Sequence, residues 1–524
     1  MSLSVDTILG VAGVGVGLPG LVQSVLQSTA LLRDIYHSYL QGYPDATSSW
    51  VILNNLLAWV EEDSEFLTRN SGSLTIDIEL RLKGILSELN RSLQNAVEVF
   101  NRAIDREGSV NRLRWATDVK PRLDTLIPHL EAWQRRFNEI VQMLYFTGKC
   151  SNRDSTGGIS RAERLSSRIL QARISETVQD DLEIRPVVDA DGWSKAIGQA
   201  SMKTVLYENE DTGTRCLIER HKYGVERSTS DVKAATNLVT RILAAAGMEP
   251  QETHLLQAIG YSHSAHPARE IDLVMKCPPN LGAPQTLRKL LDTGMPSVNA
   301  RLEVARHVAT AIFYTHTSGL VHKAICPEAF LVFQNVNGKV ATTEDLIPDP
   351  VGTTFLTGFE LAREDSPLAY SSMNGNTDWQ QCMYLHPSRH QGGTRYTLGH
   401  DIYSLGVNLL EIGIWSSFTC YDTQQEKFVF DDEVLQGGNY ICDEIRQGIH
   451  NAGLRLKSLY ERHANEVLPV YMGRRYRDVV NFCLTIMDDV PADSEKSLDN
   501  GPEEERLGLS YIDKVLGELD EIKV

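Results

Sequence analysis

The sequence predicts an all-α helical bundle at the N-terminal end, followed by an α+β region. Two observations predict it. Through residue 144, apolar residues recur every three to four positions and no β-rich run interrupts them. Beyond residue 191, short β-prone runs such as Arg215–Lys222 and Glu270–Cys277 alternate with helical stretches. The chain has 524 residues, room for two or three domains at about 150 residues each. Its 69 acidic residues against 51 basic ones give a net charge of −18, which argues against a nucleic-acid-binding surface. The eight cysteines are widely spaced with no CxxC pair. That is neither a zinc pattern nor a disulfide framework, so a reducing compartment is expected. Cys326 has no base placed beside it by the sequence and is expected to be a packed thiol rather than a nucleophile.

The chain opens on an apolar run, Ile8–Val22, that contains Gly10, Gly13, Gly15, Gly17 and Gly20. It is shorter than the roughly 20 residues of a membrane span, and Asp6 precedes it where a secretory signal would carry a basic residue. Glycines weaken a helix in water by up to about 1 kcal/mol each and are better tolerated in lipid. Two readings follow: a segment that enters lipid when released, through Ile8, Leu9, Val11, Val14, Val16, Leu18 and Leu21, or a buried first helix packed through its glycines.

Helical stretches follow. Val25, Leu32 and Ile35 approximate one face; Trp50, Leu53, Leu57 and Val60 a second. Leu82, Leu86, Leu89, Leu93, Val97 and Phe100 step through a long amphipathic helix. Leu123, Leu130, Phe137, Ile140 and Leu144 do so again, with Pro121 suited to the first turn. Arg102, Arg106, Arg112, Arg114, Lys120 and Arg122 form a basic cluster that reads either as a lipid-headgroup contact or as a solvated face partly paired with Asp105, Glu107 and Asp118. The bundle is assigned to residues 1–150, and a linker with a helical brace, Arg161–Ser175, to 151–190. Strands are expected at 215–222, 253–262 and 270–277, helices at 230–246, 299–317 and 467–486, and a solvated acidic segment at 491–524.

The segment Gly319–Phe333, GLVHKAICPEAFLVF, resembles the catalytic loop of a protein kinase, and TTFLTGFELAR (353–363) resembles the metal-binding strand and loop that follow it. Leu320, Val321, His322, Pro327, Glu328, Leu331, Phe359, Leu361 and Ala362 fit that framework. Tyr384-Leu385-His386-Pro387 resembles the end of an activation segment. Asp401–Glu411, with Gly406 inside it, resembles the buried C-lobe helix whose Asp ties down the catalytic loop backbone. The resemblance covers about residues 195–490. It implies a bilobal α+β kinase-like fold with an N-lobe at 191–277 and a C-lobe at 278–490, hinged at Pro278-Pro279-Asn280.

The chemistry departs from that family. Ala324 stands where the catalytic Asp is expected, Ala329 where the Asn is, and Gly358-Phe359-Glu360 replaces Asp-Phe-Gly. Glu219 takes the place of the phosphate-binding Lys; Lys222 is three residues on and faces the other side of a strand. The helix 230–246 holds no Glu, and Asp231 at its start suits a cap. Only Gly192 and Gly198 remain of a glycine-rich loop. The resemblance therefore implies an inactive pseudokinase that needs no cofactor and no metal.

LGVAGVGVGLPGLVQSVLQ (residues 9–27) together with the long-helix bundle resembles the HeLo domain of filamentous fungi. That family implies membrane insertion by the first helix in programmed cell death or heterokaryon incompatibility. The order of parts is similar to the mixed-lineage kinase-like pseudokinases of necroptosis. The expectation is a cytoplasmic protein that relocates to the plasma membrane on activation, with membrane lipid and further copies of itself as partners, an upstream activator of unspecified identity and no nucleic acid. A cytosolic scaffold without membrane activity and an atypical active kinase stand as the alternatives.

Overall fold

The computed structural model describes residues 17–40, 47–103, 117, 120–149, 161–174, 182–184, 193–199, 204–209, 213–225, 227–264, 269–279, 281–335, 351–364, 382–390, 395–422, 427–447, 451–488 and 501–523. They divide into two compact units, Met1–Ser167 and Arg168–Val524. The division falls inside the helix Arg161–Ile174.

The first unit is helical. Its long helices are Leu18–Leu40, Thr47–Asn70, Ile76–Ala103 and Lys120–Phe146. Each packs on two of the others. The first helix begins at Leu18 with Pro19 in its opening turn, where a missing N–H costs nothing. Its buried stripe is Leu18, Val22, Val25, Thr29 and Leu32, which includes Val25 and Leu32 of the expected face, while Leu21 and Ile35 are only half-buried. Leu53, Leu57, Phe66, Leu82, Leu93, Val141 and Leu144 complete the core. Polar groups also enter it: Ser28 donates to Asn90 Oδ1 at 2.8 Å, and Gln134 donates to Asp63. Ile8, Leu9, Val11, Val14 and Val16, and Arg106, Arg112 and Arg114 of the basic cluster, lie outside the described residues. Among the described residues no helix is long and apolar enough to cross a membrane.

The second unit combines antiparallel sheets with helices. Strands β1 (Trp193–Gln199), β2 (Thr204–Asn209), β3 (Arg215–Lys222), β4 (Ala258–Ser264) and β5 (Glu270–Lys276) form a sheet in the order β1-β2-β3-β5-β4. The helix Thr229–Ala246 packs against β4. β6 (Leu281–Thr286) opens a second sheet, pairing with β8 (Phe330–Asn335), which pairs with β9 (Thr353–Leu356). Between them, β7 (Leu320–Val321) pairs with β10 (Arg363–Glu364). The helix Leu398–Ile414 is buried along its whole length, which its apolar sequence requires.

Three sequence expectations change here. The strand expected at 253–262 is displaced, because Pro250–Thr253 forms a helical turn with Pro250 at its start, and β4 begins at Ala258. The helix expected at 467–486 is interrupted. Leu468–Tyr471 and Gly473–Thr485 are separate helices, and Gly473 takes a positive φ of 82° at the junction. The acidic C-terminal segment is not a solvated tail in its described part. Residues 501–521 are helical, and Leu509, Tyr511, Ile512, Val515, Leu516 and Leu519 are buried. Tyr511 Oη donates to the Ala309 carbonyl at 2.8 Å, and Arg306 Nη2 donates to the Leu519 carbonyl at 2.7 Å.

Candidate functional site

The loop after β7 is built around one carboxylate. Asp401 lies in the first turn of the helix 398–414 and is fully buried. Its Oδ2 accepts the backbone N–H of His322 at 2.7 Å, and Oδ1 accepts that of Lys323 at 3.0 Å and the Tyr396 hydroxyl at 2.7 Å. His316 Nε2 stands 3.2 Å from Oδ2. Burial alone would push the Asp401 carboxyl up, but the hydrogen bond and charge of His316 and the other donors hold it below the ordinary carboxylate range. This grip secures a strained turn, since Lys323 adopts a positive φ of 72° that a non-glycine residue rarely takes.

His322 is buried, and burial keeps its imidazole below the usual histidine range, hence neutral. The tautomer follows from its partners. Nε2 donates to the Thr357 carbonyl at 2.9 Å, and Nδ1 accepts the Ala324 N–H at 3.3 Å. Its ring meets Phe359 edge-on with centroids 4.8 Å apart. The loop 319–324 and the turn 357–359 are thereby joined.

Ala324, Ala329 and Gly358 gather around this joint. Ala324 and Ala329 are buried. Gly358 has φ +85°, and a Cβ placed on it would stand 3.4 Å from the Ala329 Cβ and 3.6 Å from His322 Cε1. None of these three side chains supplies an oxygen, so none can hold a cation or accept a proton.

Glu219 on β3 reaches the same turn from the other sheet. It is wholly buried, and its Oε2 accepts the Gly358 N–H at 2.9 Å. Its Oε1 lies 3.2 Å from His221 Nε2, and His221 Nδ1 lies 3.9 Å from Glu360 Oε2. Burial works to raise the Glu219 carboxyl; His221 and the Gly358 N–H outweigh it and hold it below the ordinary range. Lys222 turns away to pair with Glu270 at 3.2 Å, with most of its side chain exposed. Asp231 sits exposed in the first turn of its helix, whose N-cap residue is Ser228. A cavity of about 520 Å³ opens beside this group, lined by His221, Tyr223, Val232, Val239, Phe359 and Glu360.

The remaining predicted framework residues are structural. Pro327 starts a short 3-10 turn, and Gly406 lets the helix 473–485 approach; a Cβ there would stand 2.8 Å from Cys483 Cβ. Cys326 is buried, and burial pushes its thiol well above the usual range. Sequence reasoning missed His221. Its spacing of two from Glu219 on a strand was the available signal, since that spacing puts both on one face. It also missed the buried ion group in which Arg288 meets Glu411 at 3.1 Å, with Tyr384 Oη donating to Glu411 at 2.8 Å. No protein-family model matches the chain, and no curated protein matches it.

Proposed function

We propose that the chain is a catalytically inactive pseudokinase that controls a membrane-targeting HeLo-like bundle, acting in programmed cell death or incompatibility signalling of the fungal type. The observation that carries the reading is the convergence of Ala324, Ala329 and Gly358 beside a backbone loop held in place by Asp401. The scaffold of a phosphotransfer site is kept and its oxygens are gone. Phosphoryl transfer depends on positioned metal ions and a proton acceptor, so such a site binds or signals without turning over substrate. Glu219 adds a buried negative charge where phosphate would have to sit. In this reading the second unit is a switch, and its output is release of the apolar N-terminal segment. Several copies acting together would multiply a weak single-segment affinity for lipid.

Dye release from anionic liposomes tests it, comparing the full chain with residues 1–167, the whole of the first compact unit. Leakage by the fragment and not by the full chain is the expected outcome. A folded, helical fragment that leaves the vesicles intact would refute membrane action and leave the cytosolic scaffold.

A further inference from the structure

Glu219 and His221 share a face of β3, and Glu360 stands on the 3-10 turn after β9. One oxygen of Glu219, one ring nitrogen of His221 and one oxygen of Glu360 all lie within 4.8 Å of one another. Glu219 is completely buried and spends Oε2 on the Gly358 N–H. Its Oε1 makes no hydrogen bond of regular geometry and faces His221 Nε2 at 3.2 Å as an ion-pair neighbour. A buried carboxylate oxygen left in this state is costly unless a cation faces it.

We propose that Glu219, His221 and Glu360 form a binding site for a divalent transition-metal ion of the zinc type. The donor set is one imidazole nitrogen and two carboxylate oxygens, which suits Zn²⁺ and disfavours Mg²⁺ with its demand for six oxygens. Four-coordinate bonds of about 2.0–2.2 Å set ligand atoms roughly 3.3–3.6 Å apart. The Glu219–His221 separation of 3.2 Å is already close to that. Glu360 Oε2 lies 3.9 Å from Nδ1, the other ring nitrogen, so Glu360, standing on a turn, is the ligand that must move toward Nε2 to share the ion. One ring nitrogen binds the ion and the other keeps its proton. The fourth position opens toward the cavity of about 520 Å³, which His221 and Glu360 both line.

Charge favours a metal over a proton. A proton on His221 balances one carboxylate; a divalent ion balances two. The site rests on this geometry alone and not on the kinase-like reading, whose own magnesium positions fall on Ala329 and Gly358.

The test is calorimetric titration of Zn²⁺ into the full chain after chelator treatment, beside Glu360→Gln and His221→Asn. Glu360→Gln is isosteric and sits at a partly exposed position on a turn, and circular dichroism checks that the fold is kept. One equivalent should bind to the unaltered chain, and each variant should bind at least about tenfold more weakly. The Co²⁺-loaded chain should display the visible absorption of a four-coordinate ion, absent from His221→Asn. A chain that takes up no equivalent of metal, or an equivalent that either variant leaves at full affinity, overturns the site.

Discussion

Asp401 and His322, 79 residues apart, are joined by a hydrogen bond of 2.7 Å from the His322 backbone N–H to Oδ2. The same carboxylate takes the Lys323 N–H at 3.0 Å, so two successive peptide groups hang from one buried side chain. Replacing it strands both donors and the Tyr396 hydroxyl without an acceptor. Asp401→Ala should destabilise the second unit by about 3–5 kcal/mol, the cost of breaking a buried charged network. Urea unfolding followed by near-UV signals from that unit measures it. A loss under 1 kcal/mol would mean the loop is held by something else.

Mg-ATP should not stabilise the chain. With no oxygen at residues 324, 329 or 358 and a buried carboxylate at Glu219, the dissociation constant is expected to be weaker than ~10 mM. At ~1 mM ligand that adds less than about 0.1 kcal/mol, below the resolution of a thermal-shift assay. A reproducible rise of several degrees that requires magnesium would favour the atypical active kinase.

The apolar N-terminal run makes its own prediction. Val11→Asp with Val14→Asp should abolish liposome leakage by residues 1–167 while circular dichroism and melting stay unchanged. A charge at the centre of a membrane-entering segment costs about 2.5–3.5 kcal/mol on insertion scales. If the run is ordinary core packing, the same substitutions lower the melting temperature instead. The two readings thus separate on one pair of variants.

The periodic apolar faces of the bundle were legible because burial repeats every three to four residues, as in Leu82, Leu86, Leu89 and Leu93. Asp401 was legible only through the resemblance, which implied a hold on the loop backbone, and its carboxylate accepts the N–H groups of His322 and Lys323. The cluster of Glu219, His221 and Glu360 was not. Local spacing joins the first two, but only the meeting of β3 with the turn after β9 brings the third, and no sequence period encodes that contact. The C-terminal helix was hidden by its charge. Glu503–Glu505 and the preceding acidic run drew the reading toward solvent, although Ile512, Val515, Leu516 and Leu519 carry helical spacing.

That helix should matter to stability. Leu519 is fully buried, and its carbonyl receives both Arg306 Nε at 3.1 Å and Nη2 at 2.7 Å. Leu519→Ala should cost about 2–5 kcal/mol, the range for emptying a buried leucine site. Arg306→Ala should cost less, since Arg306 is partly exposed and its ion pair with Asp520 is screened by water. Equal, near-zero effects in urea unfolding would mean the helix is not docked in solution.

Acidification should destabilise the second unit through His386 and His400. Burial, reinforced by the charge of Lys457, lowers His386 to about 4; burial, reinforced by the neighbouring His386, lowers His400 to about 3. Both are neutral in the fold. His400 Nδ1 accepts the Thr397 N–H at 3.0 Å, and Ser388 Oγ bridges the rings, 3.0 Å from His386 Nδ1 and 3.1 Å from His400 Nε2. The unfolded chain takes up these protons near the ordinary histidine value of 6.5, the folded chain only far below it. Their contribution is therefore complete above about pH 7 and declines as pH falls through 6.5 toward 4. At pH ~5.5 each histidine removes about 1.4 kcal/mol. Urea midpoints at pH ~7.5 and ~5.5 should differ less in the His386→Gln, His400→Gln double variant, by about 2–3 kcal/mol in unfolding free energy. An unchanged difference would mean that other groups carry the acid sensitivity, with His322 and His390, both held below the usual histidine range by burial, the next to replace.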